Sequence, residues 1–433
     1  MISKIYFRLL VFAVVGLMLG SPLFAQIQDW PDDEREGIKI NYTEAHVGSY
    51  TLPDPLTLND GERVTSDKTW FDKRQPEILT LFEENQFGKT PGAPKNLSFD
   101  VFDQGTLVFD GKAIRKQVTV YFSKDTAGPK MDLLIYLPAK AEKPVAVLLN
   151  IGFVANSSKI NDPGVKRGMI WDRDHQLVPA PEKSFFGQFD PMPLIENGFG
   201  FASVYYGDID PDFDGGIPYG VRSLYLKTGQ TAFAPDEWGA ISAWAWGLSR
   251  AMDYFETDKG IDSKRVALFG ISRLGKTVLW TAAHDPRFAL VIASCSGEGG
   301  AALSRRNYGE TIKLITLPDR YDYQFCGNYA RYGDDPNQNP VDAHMLLSLI
   351  APRPVLLQTG NTDKWSDPKG EFLAVVAANP VYQLLGQDGI GTSQMPKTGQ
   401  AILRPQGYYM HDGGHGTVAS DWDVFIEYLK KYL

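Results

Sequence analysis

The sequence predicts an α/β chain built on a mostly parallel sheet with helices on both faces. Three observations carry that prediction. Apolar runs of strand length recur along the chain, amphipathic segments of helical length lie between them, and no repeat, low-complexity tract or linker interrupts the alternation. The chain has 433 residues, 43% of them hydrophobic and 12% aromatic, enough for one large core or two ordinary ones.

Residues 26 to about 65 are polar and rich in turn formers, which predicts an extended arm over the surface, the first part of an N-terminal arm reaching to about residue 90. "TWFDKRQPEILTLFEENQFGKTP" predicts a helix opened by Pro76 and stopped by Gly-Lys-Thr-Pro. "QVTVYF" and "MDLLIYLP" read as strands joined by a turn over 125–130. "KPVAVLLNIGF" and "GFGFASVYYGDID" are continuous apolar strands of the kind buried on both faces of a parallel sheet. A long helix, "WGAISAWAWGLSRAMDYF", follows, with Asp236 and Glu237 placed to favour its positive end. "KRVALFG" and "RFALVIAS" are further buried strands on either side of the helix "RLGKTVLWTAAHD". The stretch from about 297 to 342 is irregular, aromatic and charged, as an elaborated loop region beside a site would be. "RPVLLQTG", the helix "PKGEFLAVVAANPVYQLLG", "AILRPQGYYM" and the helix "SDWDVFIEYLKKYL" complete the alternation within a single domain over 26–433.

The first 25 residues have the form of a secretory leader: Lys4 and Arg8, the apolar run "LLVFAVVGLMLG", and a small residue at Ala25. Export to the periplasm or medium is expected, with an uncleaved anchor as the alternative. No other segment is long and apolar enough to span a bilayer. The net charge of −9 becomes −11 once Lys4 and Arg8 are removed, which argues against a nucleic-acid partner. Cys295 and Cys326 are too few for a disulfide scaffold or a thiolate zinc cluster, although a single bridge is open to them in an oxidising compartment.

The segment "LFGISRLGK" puts a serine where a buried strand turns into a helix. Such a turn lifts a hydroxyl above the strand ends and presents backbone N–H groups to a developing oxyanion. Ser272 is therefore a candidate nucleophile, although the pattern is G-x-S-x-x-G and a plain helix N-cap would suit the same residue. The base must come later in the chain. Of six histidines (His46, His175, His284, His344, His411, His415), two lie in "HDGGHG" after the last strand. His415, flanked by glycines, is the candidate base, and His411 reads as a support or surface residue. A zinc site of His411, Asp412 and His415 is disfavoured because the diglycine opposes a regular helix. Asp363 in "GNTD" is the candidate acid or else a turn former. Asp367, before Pro368, reads as a helix cap.

Together, "GISRLGK", "DPRFALVIASCSGEGGAALSRRNYGE", "DKWSDPKGEF" and "HDGGHG" resemble the bacterial glucuronoyl esterases of carbohydrate esterase family 15, a likeness spanning about residues 70–433. The resemblance implies an α/β-hydrolase fold, a three-layer sandwich, and a serine esterase that cleaves 4-O-methyl-glucuronoyl esters between glucuronoxylan branches and lignin alcohols. It implies no cofactor and no metal, and a monomer is expected. It assigns Ser272 as nucleophile, His415 as base and Arg273 as oxyanion stabiliser. Lys276 and Glu310 would hydrogen-bond the sugar, with Trp365 beside it. Solvated charges, a surface ion pair and a packed tryptophan are the bland alternatives for these four residues.

Where many members carry the acid, this chain has Cys295, so the resemblance moves the acid to Asp363, with Glu298 in reserve. The disulfide of fungal members is absent because Ile271 and Gly416 stand at its positions, and Cys295 is expected to be a buried free thiol. An acetyl xylan esterase type of acyl hydrolase and a non-catalytic glycan-binding homologue are the competing readings.

Overall fold

The computed structural model describes residues 27–318 and 320–433, so the expected leader at 1–25 lies outside the described residues. Nine strands form the main sheet. They are β1 (Ser98–Val108), β2 (Ala113–Tyr121), β3 (Lys130–Pro138), β4 (Val145–Gly152), β5 (Gly200–Tyr205), β6 (Ile261–Ile271), β7 (Leu290–Ser294), β8 (Val355–Gly360) and β9 (Gln406–His411). Their order across the sheet is β9-β8-β7-β6-β4-β5-β3-β2-β1. The six strands from β4 to β9 run parallel, and β3, β2 and β1 add an antiparallel wing beside β5. Every residue of β4, β5, β8 and β9 is buried, as the continuous apolar runs require.

Alternate residues of a strand feed opposite layers. Val147 and Leu149 face the larger core, which takes in α1 (Gln75–Phe82), α2 (Ala240–Phe255), α3 (Arg273–His284), α4 (Ala343–Ile350) and α5 (Pro368–Leu384). Ala146 and Leu148 face a smaller core closed by α6 (Asp421–Tyr432). This is the three-layer architecture of an α/β hydrolase. No helix among the described residues is long and apolar enough to cross a membrane.

Several local expectations need correction. The helical stretch that contains α1 begins at Asp67, capped by Ser66, and Pro76 sits inside it. A π-helical turn at Trp70–Arg74 ends two residues before the proline and reshapes the ladder where its ring would otherwise clash. Asp236 and Glu237 do not line the start of α2. Asp236 pairs with Lys89, Glu237 accepts from the Ala234 N–H, and Gly239 leads into the helix. β1 and α4 have no counterpart among the expected elements.

The polar segment after residue 27 forms a small hairpin (Asp33–Arg35 with Ile38–Ile40). Ile40 and Tyr42 are buried against Tyr308 and Leu314, so this segment lies on the irregular 297–342 region.

Candidate active site

β6 lies between β4 and β7, and its C-terminal end opens into the crevice where parallel sheets place their sites. Ser272 occupies the turn from β6 to α3 with φ 60° and ψ −128°, a strained conformation held from both sides. A side chain at Gly270 would put its Cβ 2.2 Å from the Leu274 carbonyl oxygen, and the Ser272 N–H donates to the Ser294 carbonyl at 2.8 Å. The displaced second glycine of the G-x-S-x-x-G pattern now has a reason. Leu274 is fully buried in the larger core, whereas a Cβ at Gly275 would stand 2.8 Å from the Ser294 carbonyl, so α3 crosses β7 closest at Gly275.

His415 follows β9 in the glycine-flanked loop. Its Nδ1 lies 2.8 Å from Asp363 Oδ2 and 3.3 Å from Ser366 Oγ. The imidazole is 41% exposed while the Asp363 carboxylate is 2% exposed. Burial opposes the charge on Asp363, yet its bond to His415 and the positive ring hold its carboxyl below the ordinary range. Asp363 also caps the short turn Lys364–Ser366, so the turn-forming position and the contact with His415 fall on one residue. Ser272 and His415 line one cavity of about 360 Å³ together with Asp363.

Arg273 lines the same cavity. Its guanidinium donates to Asp212 and stacks 4.8 Å above the Tyr321 ring. Asp212 further accepts from Tyr323 Oη at 2.9 Å, Gln324 Nε2 at 2.7 Å and Tyr206 Oη at 3.1 Å. Burial works against the Arg273 charge, and Asp212 more than restores it. The sequence offered no signal for Asp212, which stands in an aperiodic loop and reaches the site only through the fold.

Lys276, Glu310 and Trp365 form one chain of contacts. Lys276 Nζ lies 3.2 Å from Glu310 Oε2, and Trp365 Nε1 donates to Glu310 Oε1 at 3.0 Å. All three line the cavity of Ser272, so Lys276 and Glu310 are neither a solvated charge nor a surface pair. The N-terminal arm adds Arg35, stacked 4.5 Å above Trp365, and Tyr42, which carries Lys364 4.0 Å above its ring. Neither residue was anticipated, because nothing local in a polar arm indicates what it will cover.

The model for fungal glucuronyl esterases matches residues 231–386. A carbohydrate esterase of an unknown prokaryotic organism is 43% identical over 93% of this chain and 94% of its own length. The solved glucuronoyl esterase from Solibacter usitatus is 45% identical, superimposes with a TM-score of 0.85, and the match covers 89% of this chain and 99% of that one. A family 15 glucuronoyl esterase from Teredinibacter turnerae is 30% identical over 90% of each chain, with a TM-score of 0.75. The chain belongs to the glucuronoyl esterases of carbohydrate esterase family 15. It is accordingly a serine carboxylic ester hydrolase.

The other acidic and sulfur groups near the site of this glucuronoyl esterase are committed elsewhere. Glu298, the reserve acid, accepts from Ser304 Oγ at 2.6 Å, Tyr329 Oη at 2.7 Å and the Gly299 N–H, and burial pushes its carboxyl up to about 8. Glu371, which the sequence did not single out, accepts from Ser296 Oγ and the Gly297 N–H and is likewise pushed up to about 8 by burial.

Cys295 and Cys326 are both free and buried. Cys295 Sγ accepts from the Gly416 N–H at 3.2 Å, so it buttresses the His415 loop. Its sulfur lies within 4.8 Å of donor atoms on Asp363 and His415, but burial and the neighbouring carboxylates hold the thiol well above its ordinary range, and a protonated thiol is a poor metal ligand. The histidines of "HDGGHG" turn to different carboxylates, His411 to Asp421 and His415 to Asp363, so they share no ligand point.

Proposed function

We propose that this esterase cleaves the ester between a glucuronic acid branch of xylan and a lignin alcohol, with Ser272 as nucleophile, His415 as base and Asp363 as acid. His415 takes the serine proton as Ser272 attacks the uronate carbonyl, then returns it to the departing alcohol. Water repeats the sequence on the acyl-enzyme and frees the uronic acid. Arg273, fixed by Asp212, and the N–H groups at the start of α3 stabilise the oxyanion. Lys276 and Glu310 bind the sugar hydroxyls and Trp365 packs beside them. The enzyme acts as an exported monomer on this reading.

The observation that carries the proposal is the His415–Asp363 pair in one cavity with Ser272 and the Lys276–Glu310–Trp365 chain. A polar, cation-lined acyl pocket suits a hydroxylated sugar better than an acetyl group. The test compares benzyl glucuronate with acetylated xylan. The wild type is expected to hydrolyse the former far faster, and Ser272→Ala is expected to abolish both that activity and labelling by a fluorophosphonate. Preference for acetylated xylan, or full activity in Ser272→Ala, contradicts the proposal.

A further inference from the structure

Ser272 stands between two cavities. The first contains Lys276, Glu310 and Trp365. The second, about 780 Å³, shares Ser272, Arg273 and His415 with it and is walled by Phe153, Phe186, Tyr206 and Trp422. If the acyl sugar fills the first cavity, as proposed above, the alcohol on the other side of the attacked carbonyl must extend into the second. The size and walls of that cavity suit an aromatic group. The Phe153 ring lies 5.8 Å from Phe186 and 5.7 Å from Tyr206, and Phe186 is 73% exposed.

A lysine also lines this aromatic cavity. Lys159 ends the short helix Asn156–Lys159, and its Nζ donates to Asn150 Oδ1 and, at 3.0 Å, to Ser203 Oγ. Both acceptors are neutral. The ammonium packs on Gly152, where a Cβ would stand 2.6 Å from Nζ, and no carboxylate among the described residues pairs with it. Burial alone pulls it down to about 7. The other charged pair lining the cavity, Arg273 with Asp212, is already balanced. Lys159 thus has a third N–H and, apart from the Phe201 ring 5.8 Å from its Nζ, nothing to balance a charge in a desolvated place, where a charge-assisted hydrogen bond is strongest.

We propose that the second cavity receives an aromatic alcohol carrying a carboxylate, and that Lys159 is the specificity residue that binds this carboxylate. The inference rests on the esterase reading above but fails separately from it. The experiment measures kcat and KM of the full chain on the glucuronate esters of benzyl alcohol, 3-(hydroxymethyl)benzoate and 4-(hydroxymethyl)benzoate.

The wild type is expected to favour at least one carboxylate-bearing ester over the benzyl ester by about tenfold, chiefly through KM, the worth of one charge-assisted bond. Lys159→Met and Lys159→Gln are expected to erase that preference while still cleaving the benzyl ester. A wild type that treats the three esters alike overturns the inference whatever the variants do. Variants that lose all three esters in equal proportion also overturn it, because that pattern belongs to a structural lysine propping Asn150 and Ser203. A wild type that cleaves none of the three overturns the esterase reading itself.

Discussion

Two histidines four residues apart, His411 at the end of β9 and His415 in the loop after it, each pair with an aspartate, and their surroundings give the pairs opposite characters. In the first, His415 Nδ1 meets Asp363 at 2.8 Å, and Nε2 has no partner among the described residues and opens to the cavity of Ser272. In the second, His411 Nδ1 meets Asp421 at 2.9 Å, but Nε2 is taken by the Gly414 carbonyl at 3.0 Å and the ring is 2% exposed. The carboxylates diverge too. Burial pushes Asp421 above its ordinary range, whereas Asp363, though buried, is held below it by His415. A histidine–carboxylate pair does not by itself make a base. The second nitrogen must be free and open to the site, and of the two only His415 meets that condition.

The comparison breaks if the two histidines prove interchangeable. His415→Ala is expected to lower kcat on benzyl glucuronate by about 10⁵-fold or more with the fold intact, as loss of the base does in serine hydrolases. His411→Asn is expected to cost about 3 kcal/mol of stability by leaving Asp421 unmatched in the interior, while kcat per folded molecule is preserved. Urea titration alongside turnover separates the two outcomes.

The next effect sharpens the account of the oxyanion. Arg273→Ala is expected to lower kcat by about 10²–10³-fold with a smaller change in KM, since a transition-state donor is lost. Asp212→Asn should reproduce part of this loss, because it releases the guanidinium without removing it. Equal turnover in wild type and Arg273→Ala contradicts the role.

The smallest effect concerns the acid that does not touch the pair. The Glu298 carboxyl is raised to about 8 in the fold against 4.5 as its reference value. Between these pH values the unfolded chain has released the proton that the native state keeps, so native stability falls as pH rises. The slope is at most about 1.4 kcal/mol per pH unit for this one proton. Glu298→Gln removes that contribution. It should therefore gain stability relative to wild type as pH goes from 5 to 8, with turnover little changed. Denaturation at the two pH values checks this, and a variant inactive on benzyl glucuronate would return the acid role to Glu298.

Much of this site could be read from the chain because its parts sit at element ends. The turn at Ser272 and the glycine-flanked His415 each carry a local signal, and Asp363 follows a strand whose apolar run ends at Gly360. Side chains that arrive from distant loops carried none: Asp212 grips Arg273, and Arg35 covers Trp365. The helix α4 was missed because all its residues are buried, so it shows no apolar periodicity and its one local signal is the Asp342 cap. Pro76 misled for the opposite reason. A strong start signal was overridden by Ser66 and a π-helical turn upstream.

The central claim is that Asp363, and not Asp421, supports the base. Its most direct test is kcat on benzyl glucuronate for Asp363→Asn and Asp421→Asn, each normalised to folded protein. Asp363→Asn should fall by about 10⁴-fold, as when a triad carboxylate becomes an amide, and Asp421→Asn should stay near wild type. Retained turnover in Asp363→Asn, with collapse in Asp421→Asn, would contradict the account.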